Sequence, residues 1–467
     1  MKIYQYTLKN KLKLLFVENN AFSSLTTLLL VGAGSRYENK KNNGIGHFFE
    51  HMAFKGSKKY PNSFLISSTI EGIGGVFNAF TSKDHTGYWI KSTPEHFLTM
   101  IDVLSDMILN PILAKDEIER EKGVIVEEIN MYEDNPQRKI LDLFDNLIFG
   151  EDHPLGFDIA GKKETVLSFN RQTFIDYINK LYKPENAVLV IAGNLKKINL
   201  SPMKFFGTMG TTTPLKRKKF LASNLIRKES DRLLENKKIA RDLIFLLEEK
   251  FSLWSGKKRT DFISYFNDQK KPKILIKNKK TEQTHFVLGF PTFSFFDEKK
   301  YPLQILSTIL GSGMSSRLFI EVRERLGLCY YISSFTESFT DTGYYAVHTG
   351  VANNLDKVKK SIRVILKEHQ KIIQGKLKKE DFQRAKEMIK GRLILYLEDT
   401  TNLANFFGVK QLLMNKLETP EEILKKITSV KIEQVVDLAK EIFKEERLNL
   451  ALIGNYQEKD FKDVLNF

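Results

Sequence analysis

The chain has 467 residues, of which 42% are hydrophobic and 28% are charged, as in ordinary soluble globular proteins. This composition excludes a disordered chain, a collagen-like chain and a chain dominated by membrane spans. The single cysteine, Cys329, excludes an internal disulfide and a cysteine-based zinc finger. A metal site in this chain would therefore need histidine and carboxylate ligands.

The charge is concentrated in the middle of the chain. Net charge is +16, and residues 201–280 hold 21 Lys/Arg against 8 Asp/Glu, so most of the excess lies there. A basic segment of this kind is a solvated linker or insertion, or else a functional basic patch that steers acidic partners. Because it lacks the interleaved aromatic residues of an RNA-recognition motif, we expect no nucleic-acid partner.

Neither a targeting signal nor a membrane span is expected. The first twenty residues contain lysines but no apolar run with a small-residue cleavage site. The longest apolar stretches, residues 26–31 and 187–192, are far shorter than the ~20 residues that a membrane helix needs. We therefore expect a cytoplasmic protein without a membrane partner.

Two segments of the chain resemble copies of each other. The first begins with the strand-like residues 12–18 and ends in LVIAGN at 189–194. The second begins with KILI at 273–276 and ends in LALIGN at 450–455. Apolar strands that both close on Gly-Asn predict two homologous domains. We place them at 1–200 and 271–467, joined by a basic, partly helical linker or insertion at 201–270.

Strand patterns and amphipathic helices alternate inside each half. In the first half we predict helices and strands whose limits are good to a few residues. The helices are 46–54, 63–72, 94–110, 114–132 and 171–181, and the strands include 24–31, 76–81 and 88–92. A further amphipathic helix is expected within 230–254. The fold class is α+β, with two homologous domains that each contain a mostly antiparallel sheet and helices packed on one face.

Residues 44–56, GIGHFFEHMAFKG, contain the pattern His47-x-x-Glu50-His51. Positions i and i+4 of a helix share one face, so the two imidazoles can converge on one metal ion. Glu50 can reach the same side of that ion without binding it. This is the inverted order of the HExxH zinc motif. The alternative is a pair of structural histidines on a buried helix beside an unrelated glutamate.

A third ligand is expected on the helical stretch 118–136, because a catalytic zinc usually takes three protein ligands. Glu121 and Glu128 are seven residues apart and share one helix face, whereas Glu127 points about 100° away. Glu128 would complete a two-histidine, one-glutamate site, and Glu121 could orient a ligand histidine through a hydrogen bond. Taken alone, these carboxylates would be surface charges.

HFFEHMAFKG followed by EKGVIVEE, with Glu128 lying 77 residues after His51, resembles the inverted-motif zinc metallopeptidases. This is the family of pitrilysin, insulinase and the mitochondrial processing peptidase, here in its two-domain bacterial form. The resemblance covers nearly the whole chain except about 203–270. It implies one Zn²⁺ per chain, held by His47, His51 and Glu128, with Glu50 as general base and Glu121 in support. Manganese or cobalt could also suit such ligands.

The resemblance also assigns residues outside the zinc motif. In the segment GGVFNAFT, two glycines followed by a short β-prone run near the zinc helix suggest an edge strand that could accept a peptide by β-augmentation. The resemblance places Asn78, Ala79 and Thr81 of this strand beside the substrate. An ordinary core strand is the alternative. In the second half it places Arg323 and Tyr330 next to the catalytic centre, where they could stabilise an oxyanion or anchor substrate carbonyls. Without the resemblance they would be a surface charge and a core aromatic.

The function implied is that of a zinc-dependent endopeptidase or oligopeptidase, with a Glu50-activated, zinc-bound water as nucleophile. Family members enclose their site in a chamber of four such domains, which admits unfolded or short peptides. This chain has two, so we expect a homodimer or a heterodimer with a related chain, in which Arg323 and Tyr330 of one subunit could serve the zinc of the other. Two alternatives remain: a non-catalytic peptide-binding or assembly subunit of the same family, and a nucleic-acid-binding protein that uses its basic middle.

Overall fold

The computed structural model describes residues 1–200, 237–256 and 261–465. In this part of the chain the strands form two sheets. The first contains β1 to β6, which are Lys2–Thr7, Lys13–Glu18, Leu25–Val31, Val76–Thr81, Thr86–Ser92 and Ala187–Gly193. The second contains β7 to β11, which are Lys273–Lys277, Gln283–Thr292, Cys329–Ser338, Gly343–Ala352 and Asn449–Ile453.

The two sheets share one topology. The order is β1-β2-β6-β3-β5-β4 in the first sheet and β7-β11-β8-β10-β9 in the second, so the second repeats the first without β1. In each sheet one pair is parallel, β2 with β6 and β7 with β11, and the other pairs are antiparallel. The Gly-Asn endings lie at the carboxyl ends of β6 and β11, which are equivalent strands. The predicted duplication and the mostly antiparallel sheets are therefore confirmed.

Helices pack against both sheets. In chain order the helices of the described residues are α1 Ile45–Met52, α2 Ser63–Glu71, α3 Phe97–Leu109, α4 Lys115–Asp134, α5 Pro136–Phe149, α6 Lys163–Ser168, α7 Arg171–Leu181, α8 Lys237–Phe251, α9 Lys300–Gly311, α10 Leu355–Ile373, α11 Lys379–Tyr396, α12 Thr400–Val409, α13 Pro420–Ser429 and α14 Ile432–Ile442. Within the described residues, no helix is both long enough and apolar enough to span a bilayer.

The predicted elements of the first half are present with small changes at their ends. The helix predicted at 94–110 begins as a short 3₁₀ turn and becomes α-helical at Phe97. The helix predicted within 230–254 is present as α8, and its predicted start at Ser230 lies outside the described residues. The domain limits at 200 and 271 stay a prediction, as does the character of the basic linker.

Each half packs most of its own helices on one face of its sheet, as predicted, but the second face, which was predicted to be free of helices, is covered by a helix from the other half. All seven residues of β3 and of β6 are buried, which requires packing on both sides of the sheet. The second face of the first sheet packs against α12, where Phe407 contacts the cluster of Leu28, Leu30 and Val190. Reciprocally, α5 covers the second sheet. The two halves are therefore joined by a packed apolar interface as well as by the chain that connects them.

A buried ion-pair network ties the halves together near the β4–β5 turn. The Arg36 side chain is inaccessible to solvent; it donates to Asp84 in that turn at 2.8 Å and to both oxygens of Asp341 in the β9–β10 turn at 2.9 and 3.0 Å. Phe262 covers the guanidinium, with 3.5 Å between Cζ and the ring centroid. This network fixes the end of β4 relative to the second half.

Candidate active site

Helix α1 presents the inverted motif on one face. Ile45, Phe48, Phe49 and Met52 are buried in the core of the first half. His47, Glu50 and His51 lie on the opposite face, which is partly exposed. The apolar residues of the motif therefore anchor the helix, and the polar ones project away from the core.

Helix α4 brings Glu128 to the two histidines. His47 Nε2 lies 3.5 Å from Glu128 Oε1, and His51 Nε2 lies 3.5 Å from Glu128 Oε2. One ligand atom of each residue lies within 4.8 Å of the other two. Two imidazole nitrogens and one carboxylate suit a divalent cation of borderline softness such as zinc. These three residues fit the predicted metal.

The electrostatics of this cluster favour a bound cation. Burial raises the pKa of the Glu128 carboxyl, but hydrogen bonds from His47 and Tyr132 outweigh burial and bring the pKa to about 2. Burial lowers the pKa of His51, but its hydrogen bond to Glu121 and the charges of Glu128 and Glu121 raise the pKa overall. The cluster therefore stabilises positive charge between its carboxylates and imidazoles.

Glu121 orients His51. It is buried, and its Oε1 lies 2.9 Å from His51 Nδ1, while its Oε2 lies 2.5 Å from Lys55 Nζ. A carboxylate that accepts from Nδ1–H leaves Nε2 with its lone pair, and Nε2 is the atom that faces Glu128. The contact has the geometry expected for Glu121, and Lys55 neutralises its buried charge.

Tyr132 is a contact that the sequence reasoning missed. Its hydroxyl donates to Glu128 Oε1 at 2.6 Å. Burial, followed by the hydrogen bond to Glu128, raises the pKa of the Tyr132 hydroxyl to about 12, so it stays a donor at neutral pH. The signal was present, because Tyr132 lies four residues after Glu128 and so on the same helix face.

Strand β4 lies beside Glu50 and forms the edge of its sheet. Thr81 Oγ1 donates to Glu50 Oε2 at 2.6 Å. β4 pairs with β5 alone among the described strands, so its other edge is unpaired there. At this edge Asn78 Oδ1 accepts from its neighbour Ala79 N at 2.8 Å. The predicted edge position of 76–81 is confirmed, and the core-strand alternative is wrong.

One cavity contains most of these side chains. Helix α1, the end of β4, the α4–α5 junction and the loop before α6 form its walls. Its lining residues include His47, Glu50, His51, Ala79, Thr81, Glu128, Tyr132, Arg138, Lys139, Asp142 and Asp158. Asn78, although adjacent in sequence, is exposed and is not among the lining residues.

Arg323 and Tyr330 contact each other but do not line this cavity. Arg323 lies in a π-helical turn, Phe319–Arg325, with its Cζ 5.6 Å from the centroid of the Tyr330 ring. Tyr330 is 76% exposed at the start of β9, so its interpretation as a core aromatic is wrong. Within one chain the structure therefore does not bring this pair to the His–Glu cluster. His285 lies in β8, where its Nδ1 is 2.8 Å from the Tyr331 hydroxyl.

The fold and this donor set define a class of protein: a duplicated α+β chain in which one half carries an inverted histidine motif facing a distant glutamate. Comparison with known families agrees. The sequence model of the family described as insulinase, peptidase family M16, matches residues 14–156. The family model described as peptidase M16 inactive domain matches residues 168–239 and 240–389. The chain belongs to peptidase family M16.

Individual relatives extend over the whole chain. An uncharacterized zinc protease of Bacillus subtilis, YmxG, is 33% identical over 97% of this chain and 98% of its own length. An uncharacterized zinc protease of Rickettsia bellii is 31% identical over 96% of both chains. Among solved structures, a protease from Helicobacter pylori covers 97% of this chain and 99% of its own, with a TM-score of 0.81 and 20% identity. At that identity it supports the fold alone.

Proposed function

We propose that this chain is a zinc-dependent peptidase that hydrolyses unfolded or short peptides. The observation that carries the proposal is the convergence of His47, His51 and Glu128 beside Glu50, next to an edge strand. The names of the full-length relatives, which are called zinc proteases, support the same activity.

Each side chain then has a defined task. His47, His51 and Glu128 would hold Zn²⁺, which when bound polarises the scissile carbonyl and makes a neighbouring water more acidic. Glu50 removes the proton of the attacking water and delivers it to the leaving amine. Thr81, which donates to Glu50 Oε2, holds the carboxylate on the side of the cavity next to β4.

The substrate would bind as an added strand along β4. The outward N–H and C=O groups of an edge strand pair with any extended backbone, so recognition reads little side-chain sequence. Unfolded or short peptides readily adopt this extended conformation, and a chamber enclosed by two such chains would exclude folded proteins by size, so these peptides are the proposed substrates. Ala79 and Thr81 are the β4 residues of the proposed substrate site that also line the cavity, and Asn78 would contribute from the exposed side of the strand.

We further propose that the active form is a dimer in which Arg323 and Tyr330 act across the interface. Both lie outside the cavity of their own chain, and the Tyr330 ring is exposed. The test mixes two inactive variants, Glu50→Gln and Arg323→Ala. A trans arrangement gives each mixed dimer one intact site, so the mixture should regain about a quarter of the wild-type activity by random pairing. No regain, or an active monomer in size measurements, would refute it.

The non-catalytic alternative is less favoured because Glu50 and all three candidate ligands are present. In the second half, no cluster of candidate ligands is found among the described residues. The family model described as an inactive domain matches residues 240–389, which include much of this half. The cytoplasmic location stays a prediction.

The decisive experiment compares the wild type with Glu50→Gln by metal analysis and peptide hydrolysis. Because Glu50 is not one of the three ligands, we expect one zinc per chain in both proteins and a loss of activity by two or more orders of magnitude in the variant. Full activity in Glu50→Gln would remove the assigned base, and a wild type that binds no divalent metal would remove the function altogether.

A further inference from the structure

Helix α1 begins without any of the usual means of stabilising a helix start. Its N-cap is Gly44, in the left-handed region with φ of 96°, and no side chain of the N-cap residue accepts a first-turn N–H group. The first turn also contains no acidic residue. The unpaired N–H groups at a helix start must find acceptors elsewhere, particularly when the helix start is buried.

The carboxylate of Glu38, which precedes the helix in the chain, provides these acceptors. Glu38 Oε2 accepts from Gly44 N at 2.8 Å and from Asn43 Nδ2 at 3.0 Å, and Glu38 Oε1 accepts from Gly46 N at 2.9 Å. The residue is only 3% exposed. Both carboxylate oxygens thus face donors, and the negative charge lies at the positive end of the helix dipole.

The surroundings leave the helix start little freedom. A Cβ on Gly44 would lie 2.7 Å from Ala160 O, and a Cβ on Gly46 would lie 2.8 Å from the Tyr177 hydroxyl and 3.0 Å from Glu38 Oε1. The backbone therefore fits between Glu38, Tyr177 and the loop at Ala160, which itself lines the cavity. A side chain at either glycine would therefore displace one of these groups.

Helix α1 is only eight residues long, and His47 is its third residue. A shift or rotation of the first turn would move His47, Glu50 and His51 together relative to Glu128, which lies on a different helix. We propose that Glu38 is the positioning residue of the metal helix, whose carboxylate fixes the first turn of α1 and thereby sets both histidines toward Glu128. The inference rests on the proposed zinc site.

The charged form of Glu38 is the one that suits three donors. Burial raises the pKa of Glu38 to about 7, although hydrogen bonds from Gly44, Asn43 and Gly46 lower it. The test is therefore made at pH 8, where the carboxylate predominates. At that pH Glu38→Gln is nearly isosteric but turns an NH₂ group toward donors that need an acceptor.

The measurements are the zinc dissociation constant by chelator competition and the visible spectrum of the cobalt-substituted protein. We expect Glu38→Gln to remain folded, to bind zinc at least tenfold more weakly and to show an altered cobalt spectrum. Glu38→Asp, which keeps the charge but has a shorter reach, should lie between it and the wild type. kcat should fall while KM changes little, because β4 is not touched.

Glu18→Gln is the matched control. Glu18 is equally buried, and its oxygens accept from Tyr4 at 3.2 Å and from Asn20 at 2.9 Å, so it has no contact with α1. This variant should keep the wild-type zinc affinity and cobalt spectrum.

Several outcomes would overturn the inference. Folded Glu38 variants with wild-type zinc affinity and spectrum would do so, and so would failure of both Glu38 variants to fold while Glu18→Gln folds, since the role would then be a general structural one. A wild type that binds no zinc would instead refute the proposed function. Failure of the proposed function is thereby distinguishable from failure of the role given to Glu38.

Discussion

At the scale of single residues, the side chains behind the candidate ligands decide how the cluster is arranged. Glu121 fixes the ring of His51, and Tyr132 fixes one oxygen of Glu128. Both supporting residues lie on α4 with Glu128, spaced seven residues before it and four after it, so one helix face provides a ligand and both of its supports. The sequence pattern pointed to the earlier of them, because a carboxylate beside histidines has a known use in metal sites.

Replacing Tyr132 by phenylalanine tests the contribution of its hydroxyl. The substitution removes the donor to Glu128 and keeps the ring, so the carboxylate gains freedom to turn away from the histidines. We expect the zinc dissociation constant to rise by about tenfold or more, as measured by chelator competition. Tyr396→Phe, on α11 of the second half, is the control. Equal zinc affinity in the wild type and Tyr132→Phe would contradict the role given to this hydroxyl.

At the scale of elements, the function proposed for β4 depends on its position at the edge of the sheet. The β-prone segment after two glycines predicted a strand at 76–81 with the limits that the structure has. Its edge position was predicted, but the order of the remaining strands was not readable from the pattern, because strands that are neighbours in the sheet, such as β3 and β6, come from distant parts of the chain. The prediction that this edge binds the substrate came from the resemblance to known peptidases more than from the strand pattern.

Ala79→Pro tests the outward edge of β4. The Ala79 N–H donates to the Asn78 side chain, from which we infer that it faces the unpaired edge of β4, where proline is tolerated. We expect a folded protein whose KM rises by up to about tenfold, the effect of one lost hydrogen bond. An unchanged KM in Ala79→Pro would argue against strand addition at this edge.

At the scale of the whole molecule, the two halves exchange helices and share a buried ion-pair network. Helix α12 covers the first sheet and α5 the second, while Arg36 joins the β4–β5 turn to the β9–β10 turn. The turn after β4 is therefore fixed by both halves. Thr81 ends that strand and donates a hydrogen bond to Glu50. The second half is therefore linked to the proposed base through three contacts, which are Asp341–Arg36, Arg36–Asp84 and Thr81–Glu50.

Asp341→Ala should destabilise the chain because it leaves the inaccessible guanidinium of Arg36 with one carboxylate instead of two. We expect the free energy of unfolding in denaturant to fall by about 3 kcal/mol. Glu441→Ala breaks the exposed pair with Lys299 and should cost less than about 1 kcal/mol. Similar losses in both variants would show that the Arg36 network is no stronger than a surface pair.

The sequence by itself determined the duplication, the class of fold and the helix that carries His47, Glu50 and His51, because these depend on local periodicity and on spacing within one or two helical turns. It also singled out Glu128 and Glu121, through their common helix face. Only the tertiary structure decided that Glu38 rather than a local cap holds the start of α1, that Tyr132 supports Glu128, that each half lends a helix to the other, and that Arg323 and Tyr330 lie outside the cavity of their own chain. Those facts depend on contacts between segments far apart in the chain, and no local pattern specifies which distant surfaces meet.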